Sequence, residues 1–418
     1  MSAFQLRVVG SALIILLLDG MDAQMLGLLA PVILSDWMIS KSALGPALAA
    51  ALVGMALGSL YGGMIGDRIG RRGVLIGSTL VFGVSTALTS LSEGVWDMAL
   101  LRLVAGIGFG AATPNAIALA NDWVSLRQQS RVTAILSIGP PIGGMFGAML
   151  IGLLLAKFDW RECFLLCGIL TLITGLILAI GLPKGTKSGG TPDGIAPTTA
   201  PEGSAEISNA GAEPPARAKL LMRSNWRMNA GSWFAFFFIS AVTYTNFNWA
   251  PTYLVSGGLT LSQALRALVG YNAAAIVMSL LVPIGLARFG SRRLLAAQLG
   301  IATAMIIAIG IILVTRHESA PTLATIAMTV LGGSVGSAMA AVYVLAAKGY
   351  PSELRATGLG AALAASRVGA ITAVVASGYL LDLRADASVL HVALVGALLL
   401  AFLGTRIIDR HIPRDKPS

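Results

Sequence analysis

Charge is the scarcest commodity in this sequence. Only 11% of its 418 residues are Asp, Glu, Lys or Arg, where a soluble domain carries about 25%. That shortage excludes a water-soluble enzyme and a disordered chain. Cysteine is nearly missing as well: Cys163 and Cys167 are the two present, which excludes a disulfide framework. Four residues apart in one apolar segment, they fit a helix interior and cannot close an unstrained disulfide. Histidine is limited to His317, His391 and His411, all at or beyond the ends of apolar segments. No metal site, catalytic constellation or cofactor is expected from such a set. The first apolar run is broken by Asp19 and Asp22 and has no small-residue cleavage site, so it does not read as a cleavable leader.

What the chain has in abundance is apolar surface: 56% hydrophobic residues and a mean hydropathy of +0.81. Apolar segments fall near 8–34, 43–66, 73–91, 97–121, 132–156 and 161–182, and again near 229–256, 264–287, 294–314, 320–346, 355–381 and 388–408. Each is long enough to cross a bilayer. The expected fold is an all-α membrane protein with 12 transmembrane helices in two six-helix halves, 1–182 and 229–418. Between them, 183–228 carries Pro192, Pro197, Pro201, Pro214 and Pro215 and no aromatic residue before Trp226, and is expected to be a flexible linker.

The surplus of positive charge, 29 basic against 19 acidic residues, has a topological explanation. With both termini cytoplasmic, 21 basic residues fall on the cytoplasmic side and 6 on the other, the asymmetry of an inner-membrane protein. The expected partner is therefore the lipid bilayer and not nucleic acid, and the expected state is a monomer. The halves also repeat. Ala30-Pro31 matches Ala250-Pro251, and Arg68-x-Gly70-x-Arg72 matches Arg288-x-Gly290-x-Arg292, both at an offset of 220. Duplicated halves with a site at their interface near the midplane are the architecture of a secondary transporter.

A few charges sit where they are expensive. Counted from Arg7 at the surface, Asp19 and Asp22 lie roughly 18 and 22 Å deep in a core of about 30 Å, three residues apart on nearly one helix face. A carboxylate there costs about 2.5–3.5 kcal/mol on the lenient insertion scale, so it faces a cavity and has a task. Desolvation and a nearby guanidinium act on a carboxyl in opposite senses, so a site that exchanges them can load and release a proton. Arg367, 12 residues beyond Arg355, reaches the same depth as Asp19, and its planar fork suits an anionic substrate. Arg102, in the fourth segment, is placed to pair with the acidic residues of the first. The seventh segment is rich in aromatic residues, including Tyr244 and Trp249, a wall suited to an aromatic ring. At the loop after the second segment stand Gly63, Asp67, Arg68, Gly70, Arg71 and Arg72. Asp67 is expected to latch onto a basic residue or a helix N-terminus across the interface, a contact that breaks when the inside opens.

That loop resembles the signature between the second and third helices of the major facilitator superfamily. Arg102-x-x-x-Gly106-x-Gly108-x-Gly110 resembles the superfamily's fourth-helix motif, linked there to proton coupling. Asp19-Gly20-Met21-Asp22, Thr113-Pro114-Asn115 with Asp122, Asn248-Trp249-Ala250-Pro251-Thr252, Arg355-Ala-Thr-Gly358 and Arg367-x-Gly369 resemble the aromatic acid:proton symporter family. The resemblance implies proton-coupled uptake of small aromatic carboxylates by alternating access. It implies coupling through Asp19, Asp22, Arg102 and Asp122, and substrate contacts at Asp22, Arg367, Tyr244 and Trp249. The chain departs from the pattern at Ala287, the counterpart of Asp67, and at Asp122-Trp123, where the family shows Glu-Tyr. Gly139-Pro140-Pro141-Ile142-Gly143-Gly144 is more similar to a drug:proton antiporter motif, which leaves proton-coupled efflux as the alternative. A non-transporting membrane sensor would carry an added soluble domain that 183–228 is too polar to form.

Overall fold

A bilayer core offers the backbone no hydrogen-bond partner, so segments this apolar must close their own ladders as helices. The computed structural model describes residues 1–181, 225–351, 354–383 and 387–414, and among them the chain is helical with no strand. The first half contains α1 (Ala3–Asp36), α2 (Lys41–Ile69), α3 (Arg71–Leu88), α4 (Val95–Asp122), α5 (Leu126–Ser137), α6 (Gly139–Leu154) and α7 (Trp160–Gly181). The second contains α8 (Trp226–Ser256), α9 (Leu261–Leu280), α10 (Val282–Thr315), α11 (Ala320–Gly349), α12 (Arg355–Leu383) and α13 (Ser388–Ile407).

Thirteen helices make twelve passages. Pro140 and Pro141, which lack N–H donors, separate α5 from α6 within one passage. Leu281 keeps a helical backbone between α9 and α10, so one passage runs on to Phe289. Gly290, at φ 72° and ψ 161°, then breaks α10 and starts the next. Ten helical stretches are long and apolar enough to cross a membrane. α8 and α9, diluted by Asn246, Asn248 and Asn272, are not among them. The expected linker, 183–228, lies outside the described residues as far as 224, and Trp226–Met228 already belong to α8.

The repeat at 220 is written into the backbone. Gly70 and Gly290 both take positive φ, 104° and 72°, which a side chain resists. Met38 and Gly258 also pair at that offset, at 49° and 102°. Ser40 caps α2 by accepting from the Ala43 N–H, as Thr260 caps α9 by accepting from the Gln263 N–H.

Small residues set the spacing of the helices. Gly54, Gly58, Gly62 and Gly66 line one face of α2 against α4; a Cβ on Gly58 would stand 2.2 Å from the Ile107 carbonyl oxygen. Between the halves, α2 packs on α12, α6 on α9 and α1 on α8. Cys163 and Cys167 are buried, unbridged core residues.

Candidate functional site

α1 stays helical through Gly20. A Cβ there would fall 2.0 Å from the Pro140 carbonyl oxygen, and one on Gly143 would fall 1.9 Å from the Leu17 oxygen. Gly20, between the two acids, and the Gly-Pro run of α6 are thus two sides of one seam, while Gly27, after them, packs on Phe247 and Asn248 of α8. Pressed against α6 on that side, α1 turns its two carboxylates toward α3, α4 and the second half.

Asp22 is committed. Its Oδ2 accepts from Arg102 Nη1 at 3.0 Å, and its Oδ1 accepts from the Thr86 hydroxyl at 2.7 Å. Arg102 Nη2 also donates to Thr86 and Thr89, at 3.1 and 2.9 Å. Its guanidinium stands 5.1 Å from the Phe164 ring centre. Asp22 is 3% exposed and Arg102 1%, so this is a fully desolvated ion pair held by two hydroxyls.

Asp19 differs. It is as deeply buried, yet its Oδ2 accepts one bond, from the Thr113 hydroxyl at 2.9 Å, and its Oδ1 has no hydrogen-bond partner among the described residues. The charge of Arg367 acts on it from the other half without ion-pair contact. Arg367 Nη1 donates to the Tyr244 hydroxyl at 3.0 Å, and Tyr343 also lies within reach of its charge. A carboxyl with an unused oxygen on one half therefore faces a guanidinium framed by two phenols on the other. That arrangement can take an anion on the guanidinium and a proton on the carboxyl.

Other expected site residues lie elsewhere. Asp122 does not join the buried acids: half-exposed at the end of α4, it accepts from Arg71 Nη1 at 2.7 and 2.8 Å. Arg71 Nη2 also donates to Asp67 at 3.2 Å. Among the described residues the loop cluster is closed within the first half, and Asp67 reaches no partner across the interface. Gly63 and Gly70 flank it with open space at their Cβ positions. Arg68 stands in the last turn of α2, and Arg72 donates to the Ala179 carbonyl. Trp249 is fully buried and donates through Nε1 to the Val374 carbonyl at 2.8 Å, binding α8 to α12.

The halves are joined at the end opposite the termini. Asp382 of α12 accepts from the backbone N–H groups of Lys41 and Ser42 at 3.0 and 2.8 Å, capping α2 of the other half. Lys41 Nζ donates to the Leu381 carbonyl at 3.1 Å. Deeper in, the amides of Gln24 and Asn272 exchange two hydrogen bonds of 3.2 Å between α1 and α9. Gln24, Thr86, Asn272 and Asp382 are not among the residues expected from sequence. Gln24 and Asn272 were detectable as long amides within apolar runs.

Residues 12–374 match the model of the Major Facilitator Superfamily. The chain belongs to that superfamily. It is an integral, multi-pass membrane transporter and not an enzyme. It is 28% identical to the 4-hydroxybenzoate transporter PcaK of Pseudomonas putida, over 97% of this chain and 92% of the relative. It is likewise 28% identical to the 3-(3-hydroxy-phenyl)propionate transporter of Escherichia coli K12, over 98% and 95%. Its fold resembles a bacterial homologue of the human lysosomal transporter Spinster in its inward-facing conformation, with TM-score 0.77, 17% identity and coverage of 100% and 99%. Major facilitator membership accounts for the twelve passages and the repeat.

Proposed function

We propose that this chain takes up small aromatic carboxylates of the hydroxybenzoate type, coupled to protons, through the inner membrane. The observation that carries the reading is Asp19, with one buried oxygen that has no partner among the described residues, set across the interface from Arg367, whose guanidinium is held by Tyr244. Arg367 binds the substrate carboxylate, and Tyr244 and Tyr343 flank it. Asp19 holds the proton. Asp22 and Arg102 form the rigid wall that fixes α1 against α4. Relatives named as hydroxybenzoate and hydroxyphenylpropionate transporters support this substrate class.

Both termini lie in the cytoplasm, in keeping with the basic-residue asymmetry. In that orientation the Asp382 cap and the Gln24–Asn272 pair close the outer end, as in an inward-facing state. The facing ends of α7 and α8, at Gly181 and Trp226, then lie on the cytoplasmic side, and the monomer is the working unit. The Gly-Pro run of α6 packs against α1.

Counterflow in proteoliposomes tests the substrate class. Vesicles loaded with unlabelled 4-hydroxybenzoate are expected to take up labelled 4-hydroxybenzoate and related acids faster than protein-free vesicles. Exchange of lipophilic cations with none of aromatic acids would replace this reading with efflux.

A further inference from the structure

The second half lacks the charged cluster that ties the corresponding end of the first. At the 220 offset Ala287 stands for Asp67, Ser291 for Arg71 and Val342 for Asp122. Its break at Gly290 is held instead by the segment that follows α13. Ile408 packs on Gly231 of α8, where a Cβ would fall 2.5 Å from the isoleucine side chain. Arg410 Nη2 donates to the Asn225 side-chain oxygen at 3.0 Å, and its Nη1 donates to the Gly349 carbonyl at 3.3 Å, joining the start of α8 to the end of α11. Ile412 then closes on the break itself. Its carbonyl accepts from the Ser291 N–H and its own N–H donates to Ser291 Oγ, both at 2.9 Å. Residues 408–412 thus strap α8, α10 and α11 together.

The contact beside that closure is a histidine. His411 Nδ1 lies 3.0 Å from Ser291 Oγ. The same Oγ already accepts from the Ile412 N–H, and the Ile412 carbonyl is 3.5 Å away. The serine proton therefore goes to the nearer acceptor, Nδ1, and the neutral ring carries its hydrogen on Nε2. Nε2 is buried without a well-formed hydrogen bond among the described residues. A second proton must go to Nδ1. It removes the acceptor and sets an N–H against a hydroxyl that already takes one. It also puts a cation beside Arg292 of α10 and Arg406 of α13, opposed by Asp409 of the same segment and the Thr405 carbonyl. Burial first, and then the two arginines, hold His411 below the ordinary histidine range.

We propose that 408–412 is a pH-sensitive clasp, which binds the ends of α8, α10 and α11 while His411 is neutral and opens when the solution on that side turns acid. A histidine held below its usual range stabilises the closed clasp fully above about pH 6.5, and that stability is lost as pH falls through the lowered value. Each unit of depression favours opening about tenfold in acid. The link to transport rests on the uptake proposed above: every cycle brings a proton to that side, and an open clasp loosens the second half and slows the next cycle.

The clasp is tested without transport, in the purified full-length chain with Cys163 and Cys167 replaced by alanine. Bimane on Arg414→Cys is read with and without a tryptophan quencher introduced by Phe289→Trp. The Cβ position of Gly290 is 3.1 Å from the Arg414 nitrogen, so label and quencher lie close while the clasp is shut. Quenching is expected to be strong at about pH 7.5 and to be largely lost at about pH 5.5. His411→Asn offers Ser291 an amide oxygen and takes up no proton, so its quenching should not change across that range. Arg292→Gln, which relieves the charged ring, should stay closed to lower pH than the wild type. Ser291→Ala, which removes the hydroxyl, should quench less at both pH values. Quenching that the wild type keeps in acid would overturn the proposal, as would a loss in His411→Asn equal to that of the wild type. Counterflow of 4-hydroxybenzoate, with the same pH on both sides of the vesicle, then tests the link to rate. It should slow several-fold in acid in the wild type and less in His411→Asn, and equal slowing would overturn that link. Counterflow in no variant would count against the substrate reading, while the quenching result would still decide the clasp.

Discussion

Asp19 and Asp22 are three residues apart, equally buried, and differently employed. Asp22 shares its charge with Arg102 and Thr86, and breaking such a pair on one side strands a buried charge at a cost of about 3–5 kcal/mol. Asp22→Asn is therefore expected to lower thermal stability sharply, and Asp22→Asn/Arg102→Leu to recover much of the loss in a double-mutant cycle. Additive destabilisation by the two changes would show that they are not coupled. Asp19→Asn removes no ion pair, so that variant is expected to remain folded. Arg367→Lys keeps the charge but loses the planar fork. Losing one charge-assisted hydrogen bond costs roughly 1.5–3 kcal/mol, or about 10- to 150-fold in affinity for a hydroxybenzoate. Unchanged binding in a stable Arg367→Lys protein would move the carboxylate site elsewhere. The charges were legible in the sequence because a buried ion is rare enough to stand out. Their threonine partners were not, since hydroxyls occur throughout membrane helices and satisfy themselves on their own backbone, as Thr171 does on Cys167.

At the scale of helices, α2 and α12 matter most. The α2 N-terminus has its own serine cap and a second cap supplied by Asp382 from the opposite half. A carboxylate on two orphan N–H groups is worth about 0.5–2 kcal/mol, enough to shift a two-state balance by roughly 2- to 30-fold. Asp382→Asn is expected to open the far end more often. Spin labels at Met38→Cys and Leu383→Cys, with the buried cysteines replaced by alanine, should then show a larger long-distance population. An unchanged distance distribution would mean that the cap does not hold the gate. By contrast, Asp67 pairs with Arg71 in solvent, and exposed pairs contribute about 0–1 kcal/mol. Asp67→Asn is expected to leave the melting temperature nearly unchanged. A large loss of stability would contradict that placement. Helix number and limits could be read from apolar runs, but the Asp122–Arg71 contact could not. Periodicity places Asp122 at a helix end and is silent about which neighbouring loop meets it.

The molecule as a whole is two copies of one design with the chemistry divided between them. The repeat was legible in Ala-Pro and Arg-x-Gly-x-Arg anchors, and Gly70 and Gly290 show why those glycines recur: both halves turn through positive φ at the same place. The division of labour was less legible, because it lies in positions where the copies differ. Asp19 of the first half has Ile239 as its counterpart at the 220 offset, and Asp67 has Ala287. On the proposed reading, proton handling belongs to the first half and anion binding to the second, and alternating access carries them together. The most direct measurement is the initial rate of labelled 4-hydroxybenzoate entry into proteoliposomes, with and without an inside-alkaline pH gradient. Wild type, Asp19→Asn and protein-free vesicles are compared side by side. Above the protein-free rate, wild-type entry should rise with the gradient, whereas Asp19→Asn should exchange substrate at a rate the gradient does not change. A gradient response in Asp19→Asn equal to the wild type would contradict the assignment of the proton to Asp19.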